Sequence, residues 1–303
     1  MEPVDADAPI RYRNRQTGEI ETEQVYGGQW LRRLYGNPLG QLVLHAAVRR
    51  AWFSRWYGAQ QDKPTSAAKV APFIRDYGIR MEDFVVPPGG YATFNEFFFR
   101  KLATNARPVD ADPAVAVFPA DARHLGFQDI SSAPGIYAKG QRFSVAELVG
   151  DRALGERYAR GTVICSRLCP VDYHRFHFPV AGTAGAAVPI DGTLGSVNPI
   201  ALRRKLGWLW ENKRQRVTLE AGAFGQVTLV AVGATNVGSI VETYTPGRPL
   251  AKGDERGYFR FGGSWVATLF EPGRVQLAPD LAAATAEGIE LLARFGTPMA
   301  RLA

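Results

Sequence analysis

The chain has 303 residues, 46% hydrophobic and 21% charged, which excludes a disulfide-stapled miniprotein and wholesale disorder. Its 32 glycines and 20 prolines point to many tight turns, and so to a β-rich core. The net charge of +7 favours an anionic partner, nucleic acid or an anionic membrane, and two cysteines fit a reducing compartment better than a disulfide framework.

The start, MEPVDADAPIRYRNRQTGEIETEQ, is polar and acidic and lacks the apolar stretch of a signal peptide. No run approaches the roughly 18 apolar residues of a membrane span, so the chain reads as soluble or peripheral. Residues 1–29 predict a polar lead with one hairpin, turning at Thr17-Gly18. Residues 30–57 differ. They hold Arg32, Arg33, Arg49, Arg50 and Arg55, no acid, and Trp30, Tyr35, Trp52, Phe53, Trp56 and Tyr57. A helix is predicted over 39–57, its arginines gathered toward the C-terminal half, where cations suit the helix dipole. Residues 64–85 predict a second helix or pair, with Pro64 near the start and Gly78 near the stop. From about residue 92, short runs such as GTVICSRL, GQVTLVAVGA, SIVETYTPG and GYFRFGGSWVATLF alternate with Gly/Pro turns and predict strands. A helical insert is expected over 144–161 with Ser144 as N-cap, and a last helix over 279–296. The fold class expected is α+β. A helical, basic-aromatic region, 1–91, precedes a β-rich, sandwich- or barrel-like catalytic core, 92–303.

Two of the four histidines sit together in PVDYHRFHFPVAG, as His174 and His177. Histidine is the usual proton shuttle near neutral pH, although a core pair or half a metal site fits the same residues. With Cys165 and Cys169 the only thiols, a metal site is short of ligands, and none is expected. Positions three apart on a regular strand face opposite sides, so both histidines serve one pocket only if a turn or bulge intervenes. Three Gly-Ser pairs occur: Gly195-Ser196, Gly238-Ser239 and Gly263-Ser264. The third follows a further glycine between two strand-like runs, where glycine permits positive φ and close approach to a carbonyl. Asp121, in FPADARHLG, is on its own a turn aspartate; with a histidine and a serine it could complete an Asp-His-Ser arrangement.

Ordered markers run through most of the chain. They are FNEFFFRKL (94–102), ARP (106–108), FPADAR (118–123), KGQRFSVAELVGD (139–151) and RLCPVDYHRFHFPVAG (167–182). SVNPIAL (196–202), ENKR (211–214), VGATNVGSI (232–240) and KGDERGYFRFGGS (252–264) follow. In this order they resemble the phosphatidylserine decarboxylase family, pyruvoyl-dependent proenzymes, and the lead resembles its bacterial branch with a Gly-Gly-Ser cleavage motif. The resemblance implies autocatalytic cleavage at Gly263-Ser264 into a β chain, 1–263, and an α chain, 264–303. Ser264 matches the pyruvoyl precursor, His177 and Asp121 match the other members of the cleavage triad, and His174 matches the histidine of the decarboxylation step. The covalent pyruvoyl group implied by the match captures the amine of phosphatidylserine and takes up the electron pair left by departing carbon dioxide, giving phosphatidylethanolamine.

Two residues depart from the family pattern. Ala122 stands where glycine is usual, at a cost of about 1 kcal/mol if the position needs positive φ. Trp265 stands where threonine is usual, and its ring is expected beside the pyruvoyl position. These departures motivate an alternative, the same chemistry on a soluble amino acid. A non-maturing lipid-binding relative is a third reading. The segment 30–57, with RRKLGWLWENKRQR (203–216) as a second basic aromatic stretch, predicts peripheral attachment to the cytoplasmic side of the cell membrane through anionic lipid. The rival reading is that these aromatics simply pack on the core. No nucleic-acid motif accompanies the basic clusters, and a homodimer is left open.

Overall fold

The computed structural model describes residues 8–25, 56, 58–133, 143–234, 240–262 and 264–303. The basic aromatic segment 30–57 with its expected helix, Trp56 excepted, lies outside the described residues, as do Ser239 and Gly263.

Seventeen short strands are described. In chain order the first nine are β1 (Arg11–Asn14), β2 (Ile20–Thr22), β3 (Val115–Val117), β4 (Ala122–Phe127), β5 (Thr162–Leu168), β6 (Arg175–His177), β7 (Gly182–Ala184), β8 (Val188–Ile190) and β9 (Arg214–Glu220). The rest are β10 (Gln226–Gly233), β11 (Ile240–Glu242), β12 (Pro249–Leu250), β13 (Glu255–Phe259), β14 (Ser264–Phe270), β15 (Val275–Leu277), β16 (Glu290–Ala293) and β17 (Pro298–Leu302). One large sheet runs β12-β7-β9-β10-β14-β5-β4-β16-β1-β2, with β8 also on β9. Two three-stranded sheets, β11-β13-β6 and β15-β17-β3, complete an α+β architecture.

β5 and β14 lie side by side in the middle of the large sheet and are buried along their whole length. That is why TVICSRL and SWVATLF read as nearly continuous apolar runs rather than alternating ones. Successive side chains still go to opposite faces. Trp265, Ala267 and Leu269 join Cys165, Val163 and Leu125 against Leu148, Val149, Trp208 and Leu209 from the short helices Val145–Val149 and Trp208–Glu211. On the other side, Phe270 and Ile164 pack with Phe118, Leu277, Leu281 and Met299. Val266 meets Ala120, Ala122, Leu168 and Phe176 in a smaller cluster.

The expected hairpin forms: β1 and β2 pair antiparallel, with Gly18 in the left-handed region at the turn. It then adds to the large sheet through β1 on β16, so the stretch 1–91 contributes two strands to the core sheet as well as helix. Pro64 opens a 3-10 turn, Pro64–Lys69, which runs into the helix Val70–Tyr77, and Gly78 ends it at φ +60°. Ser144 caps the helix Val145–Val149 by accepting from the Glu147 amide at 3.2 Å.

The helix expected over 279–296 stops early. It spans Pro279–Ala286, Gly288 takes φ +72°, and Glu290–Ala293 becomes β16, paired with β4 on one side and β1 on the other. Two open strand edges outweigh the helical propensity of IELLA. The stretch 203–216 is only partly at the surface, where Lys205 and Lys213 are exposed. Trp208 and Leu209 are core residues, and Arg214 is buried, donating to the carbonyls of Glu147, Leu148 and Asn212 at the end of the helix Val145–Val149.

Candidate active site around Ser264

Ser264 is the first residue of β14, opposite Leu168 of β5 and Gly233 of β10, and it is shut off from solvent. The residues before it leave the sheet under restraint. Asn95 Oδ1 accepts from the Phe261 amide at 2.9 Å, while its amide nitrogen donates to Asp62 at 2.7 Å. Asn95 belongs to the short helix Phe94–Phe98, capped by the Thr93 hydroxyl on the Glu96 amide at 3.0 Å. Gly262 follows at φ +140°, a backbone that suits glycine. The peptide before Ser264 is thus approached through a glycine where β-structure has broken off.

His174 faces that hydroxyl. β5 ends at Leu168, the chain turns through Cys169–Asp172, and His174 arrives with Nδ1 2.9 Å from Ser264 Oγ. Its Nε2 lies 2.8 Å from the carbonyl of Cys169. A carbonyl only accepts, so Nε2 carries the proton, and Nδ1 offers a lone pair to which the serine hydroxyl donates. The ring stacks on Phe98 at 3.7 Å, and Phe98 packs edge-on against Phe261. Burial, helped by the nearby Arg100 cation and opposed by the Cys169 carbonyl, pushes the imidazole down to about 3. His174 is therefore neutral at pH 7, with its acceptor nitrogen on the serine.

His177, the last residue of β6, points elsewhere, while His174 lies before that strand at the end of the turn. Its Nδ1 donates to the Gly253 carbonyl at 2.9 Å, its Nε2 accepts from the Tyr173 hydroxyl at 3.2 Å, and its ring stacks on Phe295 at 3.8 Å. Burial brings it down to about 4, against the Gly253 carbonyl and the negative charges of Glu255 and Asp121. Asp121 is gripped by Arg107, with Nε at 3.0 and 3.1 Å and Nη2 at 2.7 Å, and it accepts from the Phe295 amide at 2.8 Å. Among the described residues Asp121 hydrogen-bonds neither histidine; it reaches His177 through Phe295, one residue supplying the amide and the stacking ring. The structure brings Ser264 and His174 together, and leaves His177 and Asp121 as a second, linked pair.

Neither departure has the structural consequence expected of it. Ala122 opens β4 within ordinary negative φ, so it bears no left-handed strain. Trp265 turns to the opposite face of β14 from Ser264 and packs with Trp208 and Leu209 in the core, not beside residue 264. Residues that sequence reasoning gave no role are the Cys169 carbonyl, Phe98, Arg100, Arg107 and Tyr173. All but Arg107 lie in the two markers FNEFFFRKL and RLCPVDYHRFHFPVAG, and Arg107 lies in ARP. Membership of a marker was the signal, and the contacts were not readable from it.

The sequence profile of the phosphatidylserine decarboxylase family matches residues 94–287. The chain belongs to this family. A phosphatidylserine decarboxylase proenzyme of Fusobacterium nucleatum is 41% identical over 281 residues, covering 93% of this chain and 94% of the relative. Proteins with the same description from Clostridium novyi and Chlamydia trachomatis are 39% and 37% identical, covering 95% and 96% of this chain and 97% and 96% of the relatives. The similarity to these relatives thus extends over nearly the whole chain.

Proposed function

We propose that this chain is a proenzyme that cuts itself at Gly263-Ser264 and then decarboxylates phosphatidylserine to phosphatidylethanolamine and carbon dioxide. The observation that carries the reading is a fully buried serine hydroxyl donating to a neutral imidazole, at the start of a central strand and two residues after Gly262 at positive φ. In the cleavage step the hydroxyl gives up its proton and Oγ attacks the Gly263 carbonyl carbon. The peptide C–N bond breaks, leaving an ester and a free amine on residue 264. Loss of the Cα proton then expels the Gly263 carboxylate, and water replaces the nitrogen, which leaves as ammonia.

The arrangement suits a pyruvoyl group at position 264: the residue is buried, fixed on a central strand and faced by one proton carrier. That group supplies an electrophile for the substrate amine and a sink for the electron pair left by carbon dioxide. Reprotonation of the substrate α-carbon then falls to His174, whose Nδ1 faces residue 264 and must first take up a proton, while Phe98 packs on its ring and Phe261 on Phe98. This matches the decarboxylation role that the resemblance gives His174.

The resemblance gives the cleavage step to His177 with Asp121. In the arrangement described, the Tyr173 hydroxyl occupies His177 Nε2, so direct transfer from Ser264 to it needs different side-chain positions. The contact of His174 favours a second reading, in which His174 also takes the Ser264 proton. Intact mass tests the function itself: the parent chain should appear as two pieces, and Ser264→Ala as one. A two-piece Ser264→Ala protein would overturn the proposal.

The segment 30–57 supports a peripheral site of work on the cytoplasmic side of an anionic membrane, with arginines for the lipid charge and aromatics for the headgroup level. Among the described residues no helix is long and apolar enough to cross a membrane. After cleavage the β and α chains remain partners in one body.

A further inference from the structure

The turn that delivers His174, Cys169-Pro170-Val171-Asp172, is closed in both directions. The Asp172 amide donates to the Cys169 carbonyl at 2.9 Å, and the Asp172 carboxylate accepts from the Cys169 amide at 2.7 Å. Pro170, second in the turn, presets its own φ. The carbonyl that closes the turn is the one that receives the His174 Nε2 proton. One oxygen therefore serves both the turn and the imidazole.

The carboxylate is itself held in place. Arg123 Nη1 lies 2.5 Å from the Asp172 oxygen that accepts from Cys169. Arg123 on β4 faces Arg167 on β5, like charges directly opposed across a strand pair, which is unfavourable unless compensated. Glu23 compensates, 3.1 Å from Arg123 and 2.7 Å from Arg167, and Glu290 pairs with Arg167 as well. All five side chains are nearly excluded from solvent. Replacing such a network by apolar residues is often neutral or stabilising, so its presence beside the turn suggests a role in geometry.

We propose that Asp172 is a positioning residue for the chemistry at residue 264: through Cys169 it sets the tautomer and the aim of His174. The inference rests on the reading of His174 as proton carrier at that residue. Its test compares the full-length parent, Ser264→Ala, Asp172→Asn and Asp172→Glu, by intact mass, by Tm, and by kcat and KM per cleaved molecule on phosphatidylserine in mixed micelles. Parent activity with an inert Ser264→Ala establishes the underlying reading separately. Asp172→Asn keeps an oxygen for the Cys169 amide but loses the charge facing Arg123. It should lose Tm and keep kcat within about threefold. Asp172→Glu keeps the charge but displaces the oxygen. It should hold Tm near the parent and lose kcat about 10- to 100-fold with KM within about twofold, the size expected when a reacting group is misplaced by about 1 Å. A folded Glu variant that stays uncleaved also supports the proposal, because Ser264 then lacks its aligned acceptor. The proposal is overturned if the Glu variant keeps parent kcat, if it fails to fold, or if kcat follows Tm across the two variants.

Discussion

A second histidine in this protein makes the same contact as His174. His124 Nδ1 lies 2.8 Å from Ser166 Oγ, its Nε2 lies 3.3 Å from the Ala293 carbonyl, and both residues are fully buried. A serine hydroxyl on a neutral imidazole therefore does not by itself single out Ser264 as the cleavage site. The peptide before the serine is what differs. Cys165 continues β5 and is paired on both sides, with Ala267 and Leu125, whereas Ser264 starts its strand after two glycines. Intact mass should show a cut before Ser264 and none before Ser166. His174→Ala should lower decarboxylation at least about 100-fold per cleaved molecule, the usual worth of a placed proton carrier. Cleavage time courses of His174→Ala and His177→Ala decide which imidazole serves the first step. Loss only in His177→Ala keeps the resemblance-based assignment, and loss only in His174→Ala moves the base to His174. The sequence made Ser264 and the histidine pair candidates, through the glycine-glycine-serine turn and the closeness of His174 to His177, and their separate roles came only with the family resemblance. It could not show that Asp121 spends its hydrogen bonds on Arg107 and Phe295, since Phe295 is 174 residues further along the chain.

At the scale of elements, the helix Phe94–Phe98 does two jobs from adjacent positions. Asn95 holds the backbone that leads into the cleavage site, and Phe98 provides the surface on which His174 lies. Both side chains are buried, with Phe73, Phe94, Phe97 and Phe261 packed around them. Asn95→Ala would strand the Phe261 amide, at a cost of about 1–3 kcal/mol, and free the Gly262 region. Cleavage in that variant should slow more than decarboxylation by the fraction already cleaved. Equal slowing of both steps would assign Asn95 to general stability. This helix was visible in the sequence only as a marker of family, because five residues are too few for a periodic pattern. The opposite failure occurred at 279–296, where a pattern long enough for one helix conceals a turn. Gly288 ends the helix and the next residues fill a gap between β4 and β1, which no local propensity encodes.

For the molecule as a whole, the three histidines among the described residues, all buried and neutral, shape the response to acid. Burial holds His124 and His174 down to about 3 and His177 to about 4, against 6.5 for the free side chain. Below pH 6.5 the unfolded chain takes up three protons that the folded chain refuses, so stability falls as pH falls, by about 4 kcal/mol per unit once the unfolded histidines are fully protonated. Glu23 adds to this at lower pH. Burial raises its carboxyl, but Arg167 and Arg123 bring it to about 2, so its contribution is present above about 4.5 and is lost toward 2. Urea midpoints of Ser264→Ala at pH 7, 6 and 5 should drop steeply below 6.5; a flat series would mean that the histidines are accessible to protons in the folded state. The proposed membrane attachment is tested at the same scale. Replacing Arg49, Arg50 and Arg55 with Gln should weaken salt-sensitive co-sedimentation with phosphatidylglycerol vesicles and leave self-cleavage intact. Binding equal to the parent would remove segment 30–57 from the lipid-binding account.

Ser264 opens a strand that lies between β10 and β5, and the chain after it supplies β16 to the space between β4 and β1 and β17 to the edge of β3. A cut before this residue therefore yields a fragment interleaved with the rest at three separate places. Assembly of the mature two-chain protein must happen while the chain is still continuous, because folding brings these strands together as parts of one molecule. Once cut and denatured, the pieces face a bimolecular search with none of that advantage. Recovery of native protein from urea should depend on concentration for the cleaved form and be independent of it for Ser264→Ala, which makes maturation a one-way step in the life of the molecule.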